Sequence, residues 1–110
     1  MPPLVKICGL TTPEAIDDAV RLGATHIGLV HYEPSQRHVD LKTAGALRKH
    51  AGSRVKVALL LVNASQKLTG DALGMVRPDI IQFHGNETPE WLAVVKRLVP
   101  AEIWKAVGLK

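Results

Sequence analysis

The sequence predicts an α/β chain built on a parallel sheet covered by helices, and three observations carry that prediction. Short apolar runs rich in Val and Ile alternate with longer stretches of helical period. The runs begin about 22–29 residues apart, the spacing of a strand plus a returning helix. They also contain few polar interruptions, as strands buried on both faces require.

The first run, LVKICGL at 4–10, delivers the only cysteine, Cys8, to a glycine. Thr12, Pro13 and Glu14 then read as an N-cap, an N1 proline and a first-turn acid. In the helix they start, Ala15, Ala19, Val20 and Leu22 fall near one face while Asp17, Asp18 and Arg21 fall near the other, and Gly23 stops it. The second run, HIGLVHY at 26–32, leads into the longest loop, EPSQRHVD at 33–40. A long loop after a strand is where α/β folds place function. The helix that follows ends at Gly52. The third run is VKVALLLVN at 55–63; Ser65 caps the segment QKLTGDALGMV, which stops at Pro78. The fourth is DIIQFHG at 79–85, after which Thr88-Pro89-Glu90 repeats the first helix's start before WLAVVKRLV and the stop at Pro100. The fifth is EIWKAVGL at 102–109.

This βαβαβαβαβ order fits either an open five-stranded sheet or the first part of an eight-stranded barrel. With 110 residues, 46% of them hydrophobic, the chain supports a single core, as one domain or part of one. A lone cysteine forms no internal disulfide, and residues 1–25 lack the pattern of a secretory signal, so a reducing cytoplasm is expected. The longest apolar run, VALLLV at 57–62, falls well short of the roughly 20 residues that cross a bilayer, and no membrane association is expected. The net charge of +4 points to an anionic partner. The cations are dispersed and aromatics make up only 4%, which provides neither the basic stripe nor the stacking platform of a nucleic-acid binder. A small phosphorylated or carboxylated metabolite fits this charge.

Parallel α/β folds bind ligands at the carboxyl ends of their strands. Those ends hold Cys8 and Gly9, His31 and Tyr32, Asn63, His84 and Gly85, and Gly108. Three of the five carry a potential acid, base or nucleophile. A phosphoacceptor receiver domain needs acids after the first strand and an aspartate after the third, where this chain has Cys8 and Asn63. CGLTTPE supplies one glycine where a dinucleotide-binding turn needs three, and no P-loop is present.

KICGLT at 6–11, GLVHYEPSQRHV at 28–39, VALLLVNAS at 57–65, IIQFHGNE at 80–87 and WKAVGL at 104–109 together resemble, in order, the signatures of the phosphoribosylanthranilate isomerase family of tryptophan biosynthesis. The resemblance implies a (βα)8 TIM barrel, of which this chain covers about strands 1–5 with four helices as the amino-terminal portion of one domain. It implies an aldose–ketose isomerase that carries N-(5′-phosphoribosyl)anthranilate through an Amadori rearrangement without cofactor or metal. It makes Cys8 the base that takes the C2′ proton. A thiol is mostly protonated at neutral pH, so that role calls for cationic surroundings, which Lys6 and a protonated histidine would supply. Arg37, by resemblance to the family's PSPR segment, holds the anthranilate carboxylate, for which a planar guanidinium offers a bidentate fork. His84, in a segment resembling the family's QLHG, contacts substrate at the same mouth.

The chain departs from the family at four positions. His31 and Glu33 stand where an aromatic and a proline are usual, Gln36 replaces a second proline, and Phe83 replaces leucine. Cys8, His31 and His84 are residue types that could together hold a soft metal, but the resemblance implies none. The family's acid, an aspartate after strand six, and its phosphate cradle after strands seven and eight have no counterpart in these 110 residues. The segment alone is therefore expected to be nearly inactive, with activity only in a completed barrel. As a half barrel it would leave two strand edges and one sheet face open, and self-association is then expected. The alternative reading is a non-catalytic half barrel or five-stranded α/β domain that binds an anionic ligand or a partner chain.

Overall fold

A computed structural model describes residues 4–85, 87–98 and 102–105. Nine elements follow in strict alternation: β1 (Lys6–Cys8), α1 (Pro13–Arg21), β2 (His26–His31), α2 (Leu41–Ala51), β3 (Lys56–Leu61), α3 (Gln66–Val76), β4 (Ile80–Phe83), α4 (Pro89–Leu98) and β5 (Glu102–Lys105). The expected Pro100 stop and the strand end at Gly108 lie outside the described residues.

The helix starts follow from short polar side chains that satisfy otherwise orphaned N–H groups. Thr12 Oγ1 accepts from Ala15 N–H at 3.1 Å, Ser65 Oγ from Leu68 N–H at 3.0 Å, and Thr88 Oγ1 from Trp91 N–H at 3.1 Å. The fourth cap is Asp40, which accepts from Thr43 N–H at 2.6 Å. That bond, with a second from the Thr43 hydroxyl, holds the Asp40 carboxyl below the usual carboxylate range. The helix stops also match the punctuation: Gly23 and Gly52 take positive φ, and Arg77 closes α3 in the left-handed region before Pro78. Proline disfavours right-handed helix in the residue before it.

All five strands are parallel and lie in the order β1-β2-β3-β4-β5. This order separates the two architectures left open above. A doubly wound sheet reverses its strand order so that helices cover both faces. Consecutive right-handed crossovers in unbroken order place every helix on one side, as in a barrel. The core shows that one-sidedness. Ile27 and Leu29 of β2, Val57, Leu59 and Leu61 of β3, and Ile81 and Phe83 of β4 pack with Ile16, Ala44, Leu47, Ala72, Val76 and Val95 from the helices. At about 1.5–3 kcal/mol for each large apolar side chain fully buried, this layer is the main source of stability.

The α1 stripe differs in detail from the expected one. Ile16 is fully buried, whereas Leu22, assigned to the apolar face, is 77% exposed. Leu22 is the C-cap, and its backbone has already left the helix, so the helical period no longer governs where its side chain points.

The opposite sheet face carries the intervening residues. Cys8, Gly28, Ala58, Ile80 and Glu102 are in register across the five strands, and Val30, Leu60 and Gln82 form the next level toward the carboxyl ends. Lys6 Nζ donates a hydrogen bond to Gln82 Oε1, so one side chain spans from β1 to β4 across this face.

Candidate active site

A cleft of about 480 Å³ opens at the carboxyl ends of the strands, lined by Cys8, Gly9, Tyr32, Ser35, Arg37, Gln82 and His84, with Val30, Leu60 and Val62 as its apolar wall. The three residues singled out from the sequence, Cys8, Arg37 and His84, thus share one hollow although they come from three different parts of the chain.

Cys8 ends β1 and is exposed. Its sulfur stands over Gly28 of the neighbouring strand: a Cβ on Gly28 would lie 2.5 Å from Sγ. Lys6, one level below on the same strand face, also borders Gly28 through its Cε. A primary ammonium therefore stands beneath the thiol, directed toward the Gln82 amide.

Arg37 reaches the cleft because its loop folds back on β2. Ser35 N–H bonds the Tyr32 carbonyl at 2.9 Å, His38 N–H the Ser35 carbonyl at 3.2 Å, and Val39 N–H the Val30 carbonyl at 2.8 Å. Ser35 Oγ accepts from Arg37 N–H at 3.1 Å. Asp40 then caps α2 and ends the excursion. The loop is thus closed on itself in spite of Glu33 and Gln36, which replace family prolines.

His84 is exposed at the end of β4, its N–H bonded to the Leu61 carbonyl at 2.9 Å. His31 does not join it. The strand pleat turns His31 to the other face, where its Nδ1–H donates to the Val39 carbonyl at 2.9 Å and its ring lies 5.0 Å from that of His38. The grouping of Cys8, His31 and His84 is not formed, and no cluster of three potential metal ligands occurs among the described residues.

Tyr32, Ser35 and Gln82 line the cleft without having been singled out as site residues. Gln82 was legible in principle, since it is the one amide in the fourth apolar run and two residues before His84. A second hollow, of about 690 Å³, lies at the amino ends of β3 and β4 and is lined by Arg48, Lys49, Lys56, Arg77 and Asp79 among others. Its Arg48 is committed to the protein itself: it donates to the Arg77 and Gly52 carbonyls at 3.1 and 3.0 Å and to Asp79 at 3.3 Å. In parallel α/β folds that end serves stability.

Sequential parallel strands, helices on one face and a cleft with polar side chains at the strand carboxyl ends define a segment of a (βα)8 barrel. The chain matches the family model of N-(5′-phosphoribosyl)anthranilate (PRA) isomerase over residues 5–109, and it belongs to that family. Among curated relatives, the N-(5′-phosphoribosyl)anthranilate isomerase of Erythrobacter litoralis is 50% identical over 107 residues, covering 97% of this chain and 51% of the relative. That of Afipia carboxidovorans is 43% identical over 106 residues, covering 96% and 45%. Among solved structures, the phosphoribosyl anthranilate isomerase crystallised with reduced 1-(o-carboxyphenylamino)-1-deoxyribulose 5-phosphate superposes with a TM-score of 0.92 at 28% identity, covering 99% of this chain and 55% of that one. The Thermus thermophilus enzyme superposes with a TM-score of 0.88 at 30% identity, covering 98% and 53%. The chain spans about half the length of the curated relatives it matches.

Proposed function

We propose that this chain supplies the amino-terminal half, plus one strand, of the barrel domain of a cytoplasmic N-(5′-phosphoribosyl)anthranilate isomerase. The reaction converts an aminoaldose phosphate into 1-(2-carboxyphenylamino)-1-deoxyribulose 5-phosphate. An acid protonates the furanose oxygen, the C1′–O bond breaks, and the anilino nitrogen lone pair forms the C1′ iminium. The Cys8 thiolate then removes the C2′ proton. The C–H electron pair moves into a C1′–C2′ double bond as the iminium electrons return to nitrogen. The enolamine so formed becomes the ketone when a proton is returned to C1′ and the C2′ hydroxyl loses its own.

In this reading Cys8 is the base, Arg37 binds the ring carboxylate and His84 contacts substrate. The acid and the phosphate cradle come from the half of the barrel that this segment does not include, so turnover requires the completed fold. The observation that supports it is the shared cleft: a thiol, a guanidinium and an imidazole converge at the carboxyl ends of the strands. The test is an assay of a full-length polypeptide carrying this segment, following loss of N-(5′-phosphoribosyl)anthranilate fluorescence. Turnover in the parent and a loss of about a hundredfold or more in Cys8→Ala supports the reading; near-parental turnover in Cys8→Ala sinks the assignment of the base.

A further inference from the structure

We propose that Glu87 is a positioning residue for His84, its carboxylate locking the carboxyl ends of β3 and β4 together and so fixing where the imidazole enters the cleft. Glu87 Oε2 accepts the Asn63 N–H at 2.7 Å, and Oε1 accepts the Gly85 N–H at 2.8 Å. The two amides belong to different loops, β3–α3 and β4–α4, so one carboxylate ties the two loops. A charged acceptor makes each bond stronger than its neutral counterpart.

The consequence for His84 is geometric. Its own N–H is bonded to the Leu61 carbonyl at 2.9 Å, and the next N–H, that of Gly85, is bonded to Glu87. Both peptide planes that flank the His84 α-carbon are therefore anchored, and its φ and ψ are set together. The loops are also in close contact. A Cβ on Gly85 would lie 2.5 Å from Asn63 Oδ1 and 2.9 Å from Asn63 N, so a glycine is needed for Asn63 to approach within reach of Glu87. Asn63 completes the arrangement at φ 49, a left-handed conformation that asparagine adopts more readily than most residues. Glutamine in place of Glu87 keeps one oxygen but turns an NH2 toward one of the two N–H groups, leaving donor facing donor.

This inference rests on the reading that His84 contacts substrate, and its test separates the two. In a full-length polypeptide, Glu87→Gln is expected to raise KM about tenfold while changing kcat by no more than about threefold. His84→Ala also raises KM, and the double variant is expected to match His84→Ala alone, because Glu87 acts through that ring. An unchanged KM in Glu87→Gln, or additive effects in the double variant, would overturn the proposal. Independently of turnover, Glu87→Gln is expected to shift the imidazole NMR signals of His84 and leave those of His26 and His50 in place. Unmoved His84 signals overturn the positioning role alone, whereas absence of isomerase activity in the parent overturns the functional reading alone. Should the variant fail to fold, amide exchange in the parent decides: Asn63 and Gly85 N–H are expected to exchange slowly, and free exchange at both overturns the clamp.

Discussion

Arg37 lies against the face of Gly9 where any other residue would carry its side chain: a Cβ built there would stand 2.3 Å from Arg37 Cδ and 3.2 Å from Nε and Nη1. Gly9 also has φ +80, which L side chains rarely adopt. Gly9→Ala therefore combines backbone strain with displacement of the guanidinium. We expect a stability loss of about 1–3 kcal/mol, read by urea unfolding, together with a higher KM for the carboxylated substrate. Unchanged stability and KM would show that Arg37 does not occupy this position in solution.

Removing the Cys8 sulfur should reduce kcat by about 10²–10⁴-fold, the usual contribution of an oriented acid–base group. Binding of a product analogue, measured by calorimetry, should stay within about threefold of the parent, since truncating an exposed thiol opens no core cavity.

Arg37→Ala should act mainly on binding. Losing a charge-assisted pair costs about 1.5–3 kcal/mol, so KM is expected to rise by roughly tenfold to a hundredfold. Arg37→Lys should recover only part of that, because an ammonium has no planar fork. Equal KM values for parent and Arg37→Ala would remove this residue from the site.

At the other end of the strands, Arg48 joins α2, the end of α3 and the residue before β4. Asp79, its partner, also accepts the Val57 N–H at 2.9 Å. Both side chains are partly exposed, which moderates the value of the pair. Arg48→Ala should lower stability by about 1–2 kcal/mol, while Lys49→Ala stays within about 0.5 kcal/mol of the parent. Chemical denaturation of the full-length variants checks both values.

Asp17 links stability to acid. Hydrogen bonds from His50 and then Arg54, at 2.9 and 3.0 Å, hold its carboxyl below the usual carboxylate range. A depressed folded-state value stabilises the fold where the group is ionised. The contribution is therefore complete well above the usual carboxylate pKa of about 4 and is lost as the pH falls through the lower folded value. Asp17→Asn should melt below the parent at about pH 5 and converge with it toward about pH 2. A constant difference in melting temperature across that range would exclude the linkage.

Much of this architecture is legible in local sequence. Thr12, Ser65 and Thr88 announce their helices because a cap bonds an N–H three residues away, an interaction contained within a few residues. The strand ends bearing Cys8 and His84 follow from the same short-range grammar. Asp40 is an equally local cap, bonding an N–H three residues on, although it also closes the long loop that carries Arg37. The inward or outward turn of His31 depends on strand register, and Arg48–Asp79 and Glu87–Asn63 join residues far apart in the chain. Such relationships belong to the folded arrangement and leave no short-range pattern to read.

Two of the strand-to-helix joints share one frame: CGLTTPE at 8–14 and HGNETPE at 84–90. In each, a reactive side chain stands at the strand's carboxyl end, Cys8 as the last residue of β1 and His84 as the first after β4, a glycine follows, and threonine and proline open the helix. In each, too, the glycine is overlain by a residue from another loop, Arg37 in one case and Asn63 in the other. The two joints nevertheless differ in their bracing: Glu87 straps the imidazole rim to the adjoining turn, whereas the matching place on the sulfur rim is Thr11 and its glycine instead takes a left-handed bend. A swap of sulfur for imidazole would therefore have to carry its strap along with it.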